Sequence, residues 1–228
     1  MSVKSSRSAR PPIVREVETA GGVGRLHRYV AVGAREATLV LGHGAGGGID
    51  ARDLQALARA LPTSGIEVVL VEQPWVVAGK KIAPAPARLD AAWIPLVAAA
   101  RRRGTPLIVG GRSAGARVAC RTAAQVSAVA ILLLAFPLHP PGRPDRSRVG
   151  ELIGAGLPTV VLQGTRDSFG TAAELKRAVA RRKRVAVVPI ADADHGFKVA
   201  AAAASTTERA LEQLIAAAER ESVGLLRR

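Results

Sequence analysis

The sequence predicts an α/β fold: a mostly parallel, doubly wound sheet with helices on both faces and no large cap domain. Three observations lead there. Short runs of β-branched and aliphatic residues alternate with segments of helical period along most of the chain, the pattern of strands joined by crossover helices. Apolar residues make up 48% of the chain but aromatics only 3%, so the core must be aliphatic, as suits strands buried on both faces. Finally, Leu107-Ile108-Val109 runs through Gly110 and Gly111 into Arg112-Ser113-Ala114-Gly115 and then into an alanine-rich helical stretch. A serine is thus presented on a tight turn between strand and helix, where glycine neighbours relieve a crowded backbone.

Residues 1–12 read as a flexible basic segment, without the apolar stretch of a secretory signal. Residues 13–228 are enough for one sizeable domain. Ile13 to Thr19 and Arg28 to Val32 read as two edge strands joined through the Gly21-Gly22 turn region, and Thr38 to Leu41 as a buried strand. After a glycine-rich loop, Asp50 is placed to cap a helix whose Leu54, Leu57, Ala58 and Leu61 recur at the helical period; Pro62 to Gly65 closes it. Val68 to Val71 is another buried strand, followed by Gln73-Pro74-Trp75, a proline-interrupted loop and a helix from about Leu89 to Arg103. Beyond the serine turn come a strand over Ala128 to Leu134, a Pro- and Arg-rich stretch over Pro137 to Arg148 and a strand over Thr159 to Leu162. Thr171 to Ala180 reads as helix and Val185 to Ile190 as the last strand. Ser205-Thr206-Thr207-Glu208 resembles a capping box opening a final helix with Leu211, Leu214 and Ile215 on its inner face.

The formal charge is +15, from 33 Lys and Arg against 18 Asp and Glu. These cations are dispersed over helix ends, loops and both termini, with neither interleaved aromatics nor a recognition motif, so no specific nucleic-acid partner is expected. The longest apolar stretch, Ala128 to Phe136, is well short of the ~20 residues a membrane span requires. The single cysteine, Cys120, falls on the apolar helix after the serine turn and reads as a small buried hydrophobe in a reducing compartment, pointing to a cytoplasmic protein.

A serine hydroxyl becomes a nucleophile only when a base takes its proton, and a histidine base needs an acid to fix its tautomer. His27 and His43 precede Ser113, and His139 precedes the best-placed acid, leaving His195 in Asp194-His195-Gly196-Phe197. Asp167 in Gly164-Thr165-Arg166-Asp167 follows a strand, where the acid belongs; Asp192 and Asp194 are rivals without that placement. The tetrahedral intermediate also needs donors for its oxyanion. The loop Gly42-His43-Gly44-Ala45-Gly46-Gly47-Gly48 follows a strand at the right place, and the donors are assigned to the N–H of Ala45 or Gly46 together with that of Ala114. A phosphate-binding reading of this loop lacks both a G-x-G-x-x-G with its later acid and a G-K-[ST] ending.

The Gly42 to Gly47 loop, Gln73-Pro74-Trp75, Gly110 to Gly115, Phe136-Pro137-Leu138-His139-Pro140-Pro141, Gln163 to Asp167 and Asp194 to Phe197 together resemble the small single-domain α/β-hydrolases related to dienelactone hydrolase. The similarity is closer to the branch that includes a testis-expressed hydrolase-like protein and a scaffold subunit of a histone-acetyltransferase complex. The resemblance implies Ser113 as nucleophile, Asp167 as acid and His195 as base. Dienelactone hydrolase itself has cysteine where serine stands here, so its substrate does not carry over.

The expected function is cleavage of a small carboxylic ester or thioester through an acyl-enzyme, with no metal or organic cofactor. His43, Trp75, Arg112, Leu138 and His139 are expected around an open substrate cleft, with Arg112 either favouring anionic substrates or held in a structural ion pair. His43 is also read as orienting the glycine loop. The alternatives are a non-catalytic interaction module on the same fold and an acyltransferase using the same three residues. The expected partner is a small-molecule ester, with no membrane; oligomeric state is not legible in the sequence.

Overall fold

The structure, a computed structural model, describes residues 11–227, so most of the basic segment expected over 1–12 lies outside the described residues. Its centre is an eight-stranded sheet in the order β1-β2-β4-β3-β5-β6-β7-β8. β1 (Ile13–Thr19) and β2 (Gly22–Tyr29) form an antiparallel hairpin, and β2 pairs antiparallel with β4 (Ile66–Glu72). From β4 onward through β3 (Ala37–Gly42), β5 (Leu107–Arg112), β6 (Ala130–Leu134), β7 (Thr159–Gly164) and β8 (Val185–Ile190) all pairings are parallel.

The helices are α1 (Arg52–Ala60), the single turn α2 (Pro74–Val77), α3 (Pro86–Ala100), α4 (Ala114–Thr122), α5 (Val149–Gly154), α6 (Ala172–Ala178) and α7 (Thr207–Leu225). Because successive strand residues point to opposite faces, the continuous aliphatic runs supply two cores at once. Val40, Val69, Val109 and Val161 pack with Trp93 and Leu96 of α3, Val118 of α4 and Leu175 of α6. Leu39, Leu41, Leu70, Ile108 and Leu132 pack on the other face with Leu54 and Leu57 of α1 and Leu214 and Ala217 of α7. Each fully buried Val or Leu contributes about 1.5–3 kcal/mol, which is how a chain so poor in aromatics holds a large sheet. Among the described residues, no helix is long and apolar enough to cross a membrane.

Several local expectations are corrected. The second strand is Gly22–Tyr29 rather than Arg28 to Val32, because the chain turns through Ala20-Gly21 and β2 buries Gly24, Leu26 and Arg28 in alternation, a stripe masked by the polar residues between them. Helix α3 starts with Pro86 at its first turn, where the missing N–H costs nothing, and ends at Ala100 before the arginines. Strand β6 begins at Ala130, after Ser127 takes a positive φ of 52°. Asp50 does not cap α1, whose N-cap is Ala51 with no side-chain bond. Thr206 caps α7 by accepting from Arg209 N, which leaves Glu208 one position short of a reciprocal box. The reciprocal box lies instead at α6, between Thr171 and Glu174. Helix α5, after the Pro- and Arg-rich stretch, was not foreseen; its six residues are far too few for a cap domain.

The strand order sets the place of the site. β4 lies on one side of β3 and β5 on the other, so the chain reverses its direction of travel across the sheet between them. A crevice opens at the carboxyl ends of strands at such a switch point. The glycine-rich loop after β3 and Ser113 after β5 both fall there.

Candidate active site

The turn after β5 is held by close backbone packing. A Cβ on Gly115 would lie 2.5 Å from Gly42 O, and one on Gly111 2.6 Å from the same oxygen, so only glycine lets the start of α4 sit against the end of β3. Ser113 has φ 53° and ψ −112°, a sparsely populated region for a residue with a side chain, and its N–H donates to Leu134 O at 3.1 Å. It is the N-cap residue of α4, yet its hydroxyl makes no capping bond. Serine at this position ordinarily satisfies an N–H of the first turn; here the side chain is turned away and kept for another partner.

That partner is His195. Its Nε2 lies 2.9 Å from Ser113 Oγ and its Nδ1 2.8 Å from Asp167 Oδ2. A carboxylate only accepts, so Nδ1 carries the hydrogen and Nε2 is left to accept from the serine hydroxyl. Asp167 is buried, and its oxygens also accept from Phe169 N at 2.8 Å and Gln163 Nε2 at 3.0 Å. The Gln163 amide is itself aimed by Phe136 O and Gly170 O. Backbone bonds from Thr165 N to Ile190 O and from Arg166 N to Ala193 O lace the acid loop to the histidine loop. Phe169 stacks on the imidazole at a centroid distance of 4.2 Å. The rival acids are placed elsewhere: Asp194 Oδ1 accepts from Gly196 N and Lys198 N and shapes the histidine turn, while Asp192 takes a positive φ of 55° and its N–H donates to Thr165 Oγ1.

Ala114 is the first residue of α4, where a backbone N–H has no intrahelical acceptor, and Ala45 and Gly46 lie on the exposed part of the glycine loop. His43 is buried, which lowers its pKa and keeps the ring neutral. Its Nδ1 donates to Gly44 O at 2.9 Å and its Nε2 accepts from Gln73 N at 3.1 Å, so the ring braces this loop against the end of β4. Arg112 is engaged by the protein on two sides: Nε lies 3.1 Å from Asp53 Oδ2 and Nη2 donates to His195 O at 3.0 Å. Burial raises the Asp53 carboxyl while the Arg112 charge opposes the rise. Of the two expectations for Arg112, the geometry is that of the structural ion pair.

The side chains expected to wall the cleft are more enclosed than the sequence suggested. Leu138 belongs to the core beneath Gly170, and His139 is buried with Nδ1 donating to Pro140 O at 2.9 Å. Trp75 is buried beside His43, at a ring distance of 5.6 Å. Burial pushes the Cys120 thiol up to about 12, in line with a packing role. Sequence reasoning missed Gln163, Phe169 and Asp53. A polar residue ending an otherwise apolar strand was the available signal for Gln163; the other two carried none, since their roles depend on which loops meet.

Comparison with known proteins agrees with this architecture. Residues 35–222 match the family model described as an alpha/beta hydrolase domain. No curated protein matches the chain. Among solved structures, XC6422 from Xanthomonas campestris, a serine hydrolase without a lid, aligns over 94% of each chain with a TM-score of 0.73 at 19% identity. Est1E from Butyrivibrio proteoclasticus aligns over 94% of this chain and 99% of its own, with a TM-score of 0.73 at 12% identity. A putative dienelactone hydrolase from Klebsiella pneumoniae aligns over 96% and 100%, with a TM-score of 0.68 at 15% identity.

Proposed function

Since the chain belongs to the alpha/beta hydrolase domain family, we propose that it is a serine hydrolase cleaving a small carboxylic ester or thioester through an acyl-enzyme. The observation that carries the reading is the continuous relay from Ser113 Oγ to His195 Nε2 at 2.9 Å and from His195 Nδ1 to Asp167 Oδ2 at 2.8 Å. Ser113 Oγ attacks the acyl carbon as its proton passes to His195 Nε2. The N–H groups of Ala114 and of Ala45 or Gly46 hold the oxyanion. Collapse expels the alcohol or thiol, which leaves with the proton held by His195. Water then attacks the acyl-serine, gives its proton to the same nitrogen and releases the acid, restoring Ser113. Asp167 holds the tautomer and stabilises the imidazolium in both halves.

The ordered motifs along the chain support kinship with the dienelactone hydrolase-related branch, and we place its work on soluble esters in the cytoplasm. Ser113→Ala is expected to lower turnover of p-nitrophenyl acetate by about 10⁴-fold or more with the circular dichroism spectrum unchanged. It is also expected to abolish labelling by a fluorophosphonate probe. Equal rates in variant and wild type would remove the mechanism.

A further inference from the structure

Buried polar groups without partners gather beside the candidate nucleophile. A small cavity lies against the glycine loop, bounded by Gly44, Ala45 and Ala114 and by Gln73, Trp75 and Trp93. Gly44 is close to the serine, since a Cβ built on it would lie 3.5 Å from Ser113 Cβ. Gln73, Trp75 and Trp93 are 5%, 8% and 0% exposed, and Gln73 Oε1, Trp75 Nε1 and Trp93 Nε1 all lack a hydrogen-bond partner. The Gln73 amide is oriented by its Nε2, which donates to Leu89 O at 3.4 Å. Native interiors pair nearly all such groups, because an unpaired buried donor or acceptor forfeits its hydration for nothing in return. All three residues line the same cavity, which makes it the natural place for a polar group from outside the chain to meet them.

The donor set defines that group. An indole N–H only donates and an amide oxygen only accepts. A carboxylate would satisfy the indoles but bring no hydrogen to Gln73 Oε1, an ammonium would do the reverse, and a methyl end would serve neither. A hydroxyl does both: its oxygen accepts from an indole while its hydrogen goes to Gln73 Oε1. The cavity has room for about one water-sized group, which suits a hydroxyl. Resting on the acyl-enzyme reading above, we infer that this cavity is an acyl subsite and that the substrates are short-chain hydroxyacyl esters or thioesters, whose acyl hydroxyl lodges among Gln73, Trp75 and Trp93.

The chain has two tryptophans, and both line this cavity, so intrinsic fluorescence reports on it directly. The Ser113→Ala protein is titrated with methyl butanoate, methyl 2-hydroxybutanoate and methyl 3-hydroxybutanoate. One of the hydroxy esters is expected to shift tryptophan emission saturably at concentrations about tenfold or more below the plain ester. The wild type is expected to show the same preference, about tenfold or more, in kcat/KM for the matching p-nitrophenyl esters. Trp75→Phe should narrow that ratio by removing one donor, while the matched-ester comparison needs no variant of the cavity. Equal titrations and equal kcat/KM for hydroxylated and plain esters would overturn the subsite even if all were hydrolysed. A saturable, hydroxyl-dependent shift with no hydrolysis of any ester would uphold the subsite and overturn the acyl-enzyme reading.

Discussion

Two buried carboxylates stand at opposite edges of the sheet. Asp167, at the carboxyl edge, is held by Phe169 N, Gln163 Nε2 and His195 Nδ1, none of which carries a fixed charge. Glu67, near the amino end of β4, is surrounded by guanidiniums: Arg28 bonds it directly, Arg35 Nη2 lies 3.3 Å and Arg102 Nε 3.5 Å away, and Arg28 also donates to Ala100 O. Both are 1% exposed or less. Neutral donors stabilise an anion without cancelling its field, so in the proposed mechanism Asp167 remains able to favour a positive imidazole next to it. The arginines around Glu67 cancel the charge and cross-link β2, β4 and the segment after α3. Burial alone therefore does not separate the two carboxylates; the charge of their partners does, and only Asp167 keeps the uncancelled field that the proposed mechanism needs.

The largest effect expected from this contrast is at Asp167. Asp167→Asn keeps the shape but can present an N–H to Nδ1 and so favour the wrong tautomer, and kcat on p-nitrophenyl acetate should fall by about 10⁴-fold. A fall of less than tenfold would erase the distinction between the two edges. Next in size is Glu67→Gln, which strands the buried Arg28 charge and should lower unfolding free energy by about 3–5 kcal/mol in urea titrations, leaving kcat per folded molecule unchanged. Loss of activity without loss of stability would show that the amino edge communicates with the site.

The smallest effect concerns a third carboxylate, Glu151, which differs from both because it is partly exposed and meets Arg117 and Arg121. Burial alone would raise its pKa, yet the hydrogen bonds and charges of the two arginines outweigh burial and hold the carboxyl below its ordinary value of 4.5. A depressed folded-state value stabilises the protein above pH 4.5 and ceases to do so as pH falls through that lower value. Glu151→Gln should therefore cost about 1 kcal/mol or less at neutral pH, with the difference from wild type vanishing in strong acid. An equal difference at every pH would refute the assignment.

The elements with one dominant signal were readable before any coordinates. Val185 to Ile190 and Thr159 to Leu162 are dominated by Val, Leu and Ile, and the structure has strands there with little change of boundary. Elements whose pattern was interrupted were misplaced: Arg25 and His27 hid β2, and the prolines and arginines interspersed over Pro140 to Arg148 gave no helical period leading into α5. Caps were the least legible, since Thr171 and Thr206 bond according to where each helix begins rather than to which residues are near.

For the candidate site, the chain by itself determined which chemistries were present and in what order: a serine between glycines, an acid after a strand, and a histidine in the last loop. Those choices are local, because a strained turn and a strand end impose residue types on their own segment. The side of the sheet on which the three meet, the neutral donors around Asp167, the stacking of Phe169 and the tying of Arg112 between Asp53 and His195 were decided only by the fold. Each joins residues far apart in sequence, and no segment carries a record of a neighbour it meets only after the strands are ordered.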